Sequence, residues 1–571
     1  MQGLGLLKKN FNKLKKIISN SSDRDILFIK IRKQVLQFIK EHNISLKQTI
    51  LYGPSFSIFE PTQIQDFLIT QSLILRGARI IPLGMGTLEE GASVFGGGFW
   101  TEFKVEVDDN VLTASNHKKI CANDRMLWNS WCGLNQLFLS DYLNHEEKEH
   151  LRKIACNFDL NDYKNWNYDE MPVGQWALDV LRNNYMVGDE TLIENYKNKL
   201  QRLLFNIILC IKALKKALKE VDPDLVISND SFYYPWSILE ILAKRNGIPF
   251  YSYWVPVGRE GACAYAMNDP AMALNFSKTW ESFKLLPMSD AAENLIDNIV
   301  NAKKRGEMLV INTADPSANS DCISTDVQIN FDKPTVLLTA NVVWDLAALN
   351  KEIQFKNMFD WIIETVRFFE NNPQWQLIIK PHPVEESRHI PITSQRVKDV
   401  VMSSFKKIPD NVILLDPKTK YDVYYFFDKI KIGLVFTSTA GLEMVCHGIP
   451  VITAGRGPYY DKGFTYDTKT KCEYFDTLTT LLTTNLAQKH SKEYSILAKK
   501  FFKLNFFHYY MRTNLFDYAA GKKDGLTLNI RSSEDLMPGK NLALDYICNS
   551  ILDHKPIVSE NRWPHFNTGN L

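Results

Sequence analysis

Residues 433–455, GLVFTSTAGLEMVCHGIPVITAG, read as a strand, a helix and a second strand in succession. The apolar run 434–436 is typical of a buried strand, and three hydroxyl residues, 437–439, end it. The helix that follows ends at Gly448, just before the next apolar strand. Two strands joined through a helix are parallel neighbours in one sheet. The stretch therefore predicts an α/β domain.

The start of this helix also predicts an anion site. Ser438 and Thr439 are good capping residues, and the helix dipole and free backbone N–H groups there attract negative charge. The small residue Gly441 would let a phosphate approach the backbone. Glu443, one turn further, could hold both hydroxyls of a ribose, or could simply cap the helix.

A second loop, IIKPHPVEE (378–386), follows another apolar run. Its two prolines forbid continuation as helix or central strand, so Lys380 and His382 should lie at the carboxyl end of a strand. Ligands bind at that edge of open α/β sheets. His382 then either donates an N–H to the same phosphate as Ser438 or is a solvated imidazole in a rigid turn.

The alternation of strands and helices occurs in two series along the chain. Residues 101–219 separate parts of the first series and are helical and aromatic, which predicts a helical insertion. Residues 285–332 are polar and suit a linker or hinge. The predicted strands lie within 49–56, 78–84, 224–230 and 248–256 in the first series, and within 335–340, 374–383, 411–417, 431–439 and 449–455 in the second.

The predicted fold class is α/β, with two Rossmann-like domains, a helical insertion in the first and a helical C-terminal tail. A chain of 571 residues is too long for one core, which favours two domains. The expected boundaries are 1–22 for a basic N-terminal helix, 23–330 for the first domain, 331–510 for the second and 511–571 for the tail.

Composition excludes several classes of protein. A formal net charge of +2 gives no global field for nucleic acid, so we expect no nucleic-acid partner. The nine cysteines show no metal-ligand spacing and read as reduced thiols of a cytosolic protein. No stretch approaches the roughly 20 apolar residues that cross a bilayer.

The first 22 residues predict a basic amphipathic helix. Leucine, phenylalanine and isoleucine recur at helical spacing and lysines occupy the other positions. Such a helix suits peripheral contact with an anionic membrane on the cytosolic side, or docking on a domain core. The expected location is therefore cytoplasmic, with peripheral contact at the cytosolic face of the inner membrane as an alternative.

Taken in order, "KPHP", "TSTAGLEMVCHGIPVITAG" and "YYDKGFTYDTKTKCEYF" resemble the capsule and surface polysaccharide glycosyltransferases of the GT-B fold. They are more distantly similar to bacterial sialyl- and Kdo-transferases, which carry HP and S/T motifs. "VLLTANVVWD" (336–345) also fits this group. The resemblance covers roughly residues 330–510 and implies transfer of a sugar from a nucleotide donor held mainly by the second domain.

Residue roles follow from the resemblance. It implies that Lys380 and His382 contact the donor phosphate, that Ser438, Thr439 and Gly441 form its cradle, and that Glu443 holds the ribose. No cofactor is expected beyond the nucleotide-sugar donor, which is a co-substrate. The sequence shows no convincing DxD metal signature, and "VDD" (107–109) lies among polar residues, so we expect no metal and fixed dipoles in its place.

The catalytic base has three candidates. Sialyltransferase-like enzymes carry an acidic pair before glycine in the N-terminal domain, and Glu89-Glu90-Gly91 matches that pattern. A solvated turn is the alternative for these two glutamates. Asp230, at the end of a predicted strand, competes with them, since a base needs only a carboxylate within reach of the acceptor hydroxyl.

Further substrate contacts are expected at Arg259, Asn341 and Tyr460. Arg259 could form a bidentate pair with an anionic group, or be an ordinary surface arginine. Tyr459 and Tyr460 could border the sugar pocket or merely pack.

The predicted function is transfer of a sugar to a growing capsule or lipopolysaccharide glycan, free or lipid-linked, with a mild preference for a CMP-linked acidic sugar as donor. Two enzyme alternatives use similar folds: a CDP-polyol phosphotransferase and a sugar-nucleotide epimerase. A catalytically silent protein that binds glycan or nucleotide within the assembly machinery is the third alternative.

Overall fold

The structure is a computed structural model. It describes residues 22–55, 57–90, 114–188, 196–256, 261–304, 329–345, 348–386, 391–419, 421–484, 486–518 and 525–557. Residues 1–21 of the predicted N-terminal helix, the "VDD" at 107–109 and the candidate Arg259 lie outside these ranges.

The first half of the chain forms six strands and nine helices in the described ranges. In chain order they are α1 (Asp23–Glu41), β1 (Gln48–Tyr52), α2 (Glu60–Leu75), β2 (Ala78–Gly84), α3 (Ala114–Arg125), β3 (Leu137–Phe138), α4 (His145–Cys156), α5 (Val173–Tyr185), α6 (Lys197–Val221), β4 (Leu225–Asn229), α7 (Trp236–Arg245), β5 (Phe250–Trp254), β6 (Ala262–Met267), α8 (Ser277–Phe283) and α9 (Asp290–Lys304). A π-helical segment, Met126–Cys132, continues α3.

The second half contains the remaining elements. They are β7 (Thr335–Thr339), α10 (Met358–Glu370), β8 (Gln376–Lys380), α11 (Val397–Ser404), β9 (Val412–Leu414), β10 (Ile432–Val435), α12 (Ala440–Cys446), β11 (Val451–Thr453), β12 (Tyr466–Asp467), α13 (Lys471–Thr483), α14 (Leu486–Lys503), β13 (Tyr510–Arg512), β14 (Phe516–Tyr518), β15 (Leu526–Leu528) and α15 (Leu542–Leu552). Every described helix is too short or too polar to span a bilayer.

The strands form two large sheets. The second has the order β12-β11-β10-β7-β8-β9, all parallel, which is the doubly wound Rossmann order with its switch point between β7 and β10. The first has the order β13-β6-β5-β4-β1-β2-β3, in which β1 to β5 are parallel and its switch point lies between β1 and β4. The predicted class, α/β with two Rossmann-like domains, is confirmed.

Both faces of the second sheet are covered, as its strand composition requires. Val336 and Leu338 of β7 point into one apolar cluster, with Trp361 and Phe369 of α10. Leu337, between them, points into the other. Successive side chains of the strand point to opposite faces of the sheet, and both faces are covered by apolar residues. The strands are therefore unbroken apolar runs in the sequence.

Two helices, α8 just before the predicted linker and α9 within it, pack on the second sheet. Trp280 of α8 and Ile296 of α9 belong to the cluster that contains Leu337. Lys499 of α14 pairs with Glu293 of α9 at 2.9 Å. The structure thus groups residues 277–304 with the second sheet, although the sequence analysis assigned them to the first domain. Their amphipathic pattern gives no sign of which sheet they cover.

The C-terminal tail returns to the first sheet. It carries the expected helix, α15, but also β13, which pairs antiparallel with β6 and forms the outer edge of the sheet. The sequence analysis did not predict β13, β14 or β15. Three-residue strands bury too few side chains to show a period.

The two halves meet through α5 and the residues that follow it. Asn350 of the second half donates to Asp179 at 2.9 Å, and Ser394 donates to the Tyr185 carbonyl oxygen at 2.8 Å. The Gly188 N–H donates to the Gln395 side chain at 2.9 Å. These three bonds join the two halves of the chain.

Gly53, directly after β1, is required by the fold. Its φ is +123°, and a Cβ there would lie 2.3 Å from the Leu83 carbonyl oxygen. We expect Gly53→Ala to lower the free energy of unfolding by about 3 kcal/mol, because strain and overlap add. Chemical denaturation followed by tryptophan fluorescence measures this.

Gly247→Ala is the matched control: its φ is +68° but no atom lies within 4 Å of the added Cβ, so the loss should be about 1 kcal/mol. Equal losses would contradict the close approach of Gly53 to Leu83.

Candidate functional site

The carboxyl edge of the second sheet brings the predicted donor loops together. The loops after β7 and β10 flank the switch point, and the Thr437 N–H donates to the Asn341 Oδ1 at 3.1 Å. Asn341 is 8% exposed. Asn341 was predicted to contact the substrate. In the structure its amide oxygen accepts the hydrogen bond that joins the two loops.

Lys380 is the last residue of β8 and lies at this edge with 6% of its surface exposed. Its Nζ donates to the Pro381 carbonyl oxygen at 3.4 Å, and no carboxylate of the described residues forms an ion pair with it. Burial lowers the pKa of the Lys380 ammonium to about 8, opposed by the charges of Asp422 and Asp416. A buried cation without a counter-ion is costly, and an anionic ligand would offset that cost.

His382 is held in one tautomer. The Val384 N–H donates to the imidazole Nδ1 at 3.2 Å, so in the neutral ring the proton lies on Nε2. Burial, followed by the charge of Lys380, lowers the pKa of His382 to about 4. The imidazole is therefore a neutral N–H donor at physiological pH, fixed by the loop that the two prolines form.

The start of α12 differs in detail from the expected phosphate cradle. Ser438 Oγ accepts a weak bond from the Ala440 N–H at 3.4 Å, whereas the exposed Thr439 makes no side-chain cap. A Cβ on Gly441 would lie 2.3 Å from the Tyr459 hydroxyl, which donates to the Ser438 carbonyl oxygen at 2.5 Å. The space beside Gly441 is therefore filled by Tyr459, which packs with 2% of its surface exposed.

Glu443 lies on α12 with 3% of its surface exposed. The Tyr424 hydroxyl donates to Glu443 Oε2 at 2.8 Å. Nothing in the sequence marks Tyr424, which stands among several aromatic residues between β9 and β10. A ribose bound by Glu443 would share the carboxylate with this phenol.

Asp230 follows β4 at the switch point of the first sheet. Its Oδ1 accepts from the Met272 N–H at 2.7 Å, and burial raises the pKa of its carboxyl to about 7. Two residues further, the Phe232 ring lies 5.5 Å from the Lys351 Nζ of the second half. The loop that carries Asp230 therefore contacts the second half of the chain.

The adjacent glutamates have different partners, and only Glu90 bonds to helices of the insertion. Glu89, 7% exposed, accepts from the Tyr234 hydroxyl at 2.9 Å. Glu90 pairs with Arg152 of α4 at 2.5 Å, and its N–H donates to the Asn206 side chain of α6 at 2.9 Å. The solvated turn considered for them is not what the structure has, since Glu89 is buried and Glu90 is tied to two helices.

Tyr460 is partly exposed beside the same edge, and its N–H donates to the Gly457 carbonyl oxygen at 3.0 Å. Within the described ranges, no group of three or more His, Cys, Asp or Glu side chains could hold a metal ion. Two cations near Tyr460, Lys351 and Arg456, were missed by the sequence analysis, because their loops meet only in the folded chain.

Comparison with known proteins agrees with this description. Residues 301–495 match the family model described as "Capsule polysaccharide biosynthesis protein", about a third of the chain. The chain thus resembles capsule polysaccharide biosynthesis proteins over the part that forms the second sheet. No curated protein matches the sequence significantly.

Solved structures give distant likenesses. The β-Kdo 2,7-transferase KpsC of Thermosulfurimonas dismutans is 11% identical, with 60% of this chain and 89% of that chain covered and a TM-score of 0.31. UDP-GlcNAc 2-epimerase from Neisseria meningitidis, bound to UDP-GlcNAc, is 12% identical, with 79% and 93% covered and a TM-score of 0.28. MurG of Acinetobacter baumannii is 9% identical, with 80% and 95% covered and a TM-score of 0.25.

Proposed function

We propose that this chain, a relative of capsule polysaccharide biosynthesis proteins, is a glycosyltransferase. It transfers a sugar from a nucleotide-linked donor at the second sheet to a capsule or lipopolysaccharide glycan at the first. Lys380 is the observation that carries the proposal. A buried ammonium without an ion pair among the described residues, at the carboxyl end of β8 in a parallel sheet, suits the phosphate of a nucleotide sugar.

The donor phosphate would lie between Lys380 Nζ, the Nε2–H of His382 and the loop of Ser438 and Thr439. Glu443 would hold the ribose, with Tyr424 fixing the orientation of the carboxylate. The bond between the anomeric carbon and the phosphate oxygen breaks as the acceptor oxygen attacks. Lys380 and His382 stabilise the negative charge that the leaving phosphate gains, without a metal ion.

Asp230 is the proposed general base. It takes the proton of the acceptor hydroxyl while the new glycosidic bond forms, and its carboxyl, with a pKa of about 7, suits that task near neutral pH. Its loop contacts the second half of the chain, whereas Glu90 pairs with Arg152 of the helical insertion and Glu89 accepts from the Tyr234 hydroxyl. This difference favours Asp230 over the other two candidates.

The preferred donor is a CMP-linked acidic sugar, and the preferred place of action is the cytosolic face of the inner membrane. The basic, amphipathic pattern of the first 22 residues supports the second preference.

A thermal-shift screen tests the proposal. A ligand that binds only the folded chain raises its melting temperature, by an amount equivalent to about 2.7 kcal/mol at a hundredfold excess over Kd. We expect CMP or its sugar conjugate to stabilise the protein, with UDP, GDP and CDP as comparisons. A response to UDP or GDP alone would favour a hexose donor.

Product analysis separates the alternatives. A transferase releases nucleotide only as a new glycosidic bond forms or as donor is hydrolysed, an epimerase leaves the nucleotide attached, and a silent binder gives no product. If no nucleotide shifts the melting temperature of the folded protein, the proposed function is wrong.

A further inference from the structure

Two loops of the second sheet meet over the end of β10. The Arg456 N–H, after β11, donates to the Lys351 carbonyl oxygen, after β7, at 2.8 Å. Glu352 forms an antiparallel bridge with Gly455 beside it. Since β10 lies between β11 and β7 in the sheet, this pairing holds Lys351 and Arg456 next to the loop of Thr437.

Neither cation forms an ion pair within the part of the chain that the structure describes. No carboxylate of the described residues lies within 4.0 Å of the Lys351 ammonium or the Arg456 guanidinium. Burial and then the like charge of Arg456 lower the pKa of Lys351, opposed by Glu352 and Asp269. Two neighbouring cations that repel each other, and that form no ion pair among the described residues, favour an anionic ligand at this place.

Lys351 faces the first half of the chain. Lys351 Nζ lies 5.5 Å from the centre of the Phe232 ring, two residues beyond Asp230. Asp269, the acidic group of the first half that acts on Lys351, is itself partly buried, and burial raises its pKa. Lys380, by contrast, ends β8, on the far side of β7 from β10 and β11. The pair thus lies on the far side of β7 from Lys380, next to the loop of Thr437 that forms the other end of the proposed donor site, and Lys351 reaches toward the loop of the proposed base.

We propose that Lys351 and Arg456 form a second anion site, which binds a carboxylate on an acidic sugar of the acceptor glycan. This inference rests on the proposed function, because it takes the side of Asp230 as the acceptor side. The guanidinium fork matches a carboxylate, and the ammonium adds a point charge. A sugar ring bound this way would lie against Phe232.

An array of matched oligosaccharides tests the site. The probes are oligogalacturonate and its methyl ester, and oligosialic acid and its methyl ester, so each pair differs only in carboxylate charge. We expect the unmodified protein to bind the acidic member about tenfold more tightly, as one charge-assisted contact allows. The double variant Lys351→Gln/Arg456→Gln should lose that preference. Lys406→Gln is the matched control, since Lys406 is exposed before β9, at the opposite edge of the sheet.

Calorimetric titration with CMP and UDP accompanies the array. Equal binding of both members by the unmodified protein, or binding of neither, would overturn the inference. The inference would also be overturned if the double variant lost as much affinity for nucleotide as for the acidic oligosaccharide. The two cations would then bind the donor phosphate. If no nucleotide binds the unmodified protein but the acidic preference depends on the two cations, the proposed function fails and this site stands.

Discussion

Replacing Asp230 with asparagine should slow sugar transfer by about 10²- to 10⁴-fold, the usual contribution of a general base. Asparagine keeps an oxygen that can accept from the Met272 N–H, which Asp230 binds at 2.7 Å, so the turn should survive. Nucleotide affinity should stay within about twofold, because the carboxylate acts on the acceptor proton. Transfer rates with saturating donor, together with calorimetric nucleotide titration, measure both quantities.

Glu90→Gln is the matched control for this variant. In the unmodified protein the Glu90 carboxylate pairs with Arg152, so replacing Glu90 with glutamine should lower the transfer rate only slightly. The pH profile gives a second check. Because the Asp230 carboxyl has a pKa of about 7, kcat/KM should rise with pH through about 7 as the base loses its proton. A profile that keeps this limb in Asp230→Asn, or a full loss of transfer in Glu89→Gln alone, would move the role to another carboxylate.

Lys380→Met should weaken nucleotide binding roughly a hundredfold, since the phosphate loses a buried charged partner worth about 3 kcal/mol. The same substitution should stabilise the free protein. Folding shifts the pKa of Lys380 from 10.5 to about 8, so a buried charge costs on the order of 3 kcal/mol below pH 8. At pH 7, calorimetric titration should therefore show weaker nucleotide binding by Lys380→Met than by the wild type, whereas thermal unfolding should show a higher melting temperature.

The sign of the pH dependence follows. Between pH 8 and 10.5 the folded chain has released a proton that the unfolded chain still binds, so wild-type stability rises with pH and the advantage of Lys380→Met shrinks. Donor binding should fall above about pH 8, so kcat/KM should be greatest between about 7 and 8. Lys406→Met should change neither quantity. Unaltered nucleotide affinity in Lys380→Met would show that the donor lies elsewhere.

The fold was predictable where strands are apolar and helices capped. α1 carries such a signal, because the Ser22 side chain caps its first turn and Asp25 completes the capping box. β2 was expected at 78–84 and has those bounds. β6 and β13 were missed, because they pair antiparallel at the edge of a sheet whose other strands are parallel, and the partner of β6 comes from the tail.

The loops that form the site could be predicted from the sequence, but the contacts that their side chains make could not. Lys380, His382 and Ser438 do lie at one sheet edge, since parallel strands share their carboxyl ends. Tyr459 filling the space at Gly441 could not be foreseen, because it comes from a loop after another strand. The same holds for Tyr424 on Glu443. Such long-range contacts leave no local pattern in a single sequence.

The return of the tail to the first sheet has a consequence for how the chain is made. β13 forms the outer strand of that sheet, and Asp545 of α15 binds Arg76 at the end of α2. On the ribosome, residues 48–267 emerge with β6 as an open edge and α2 partly uncovered, and residues 510–552, which cover them, are synthesised after the second sheet. The strands of the second sheet all lie between residues 335 and 467, so this sheet forms without a strand from the tail. The domain translated first should therefore be completed last.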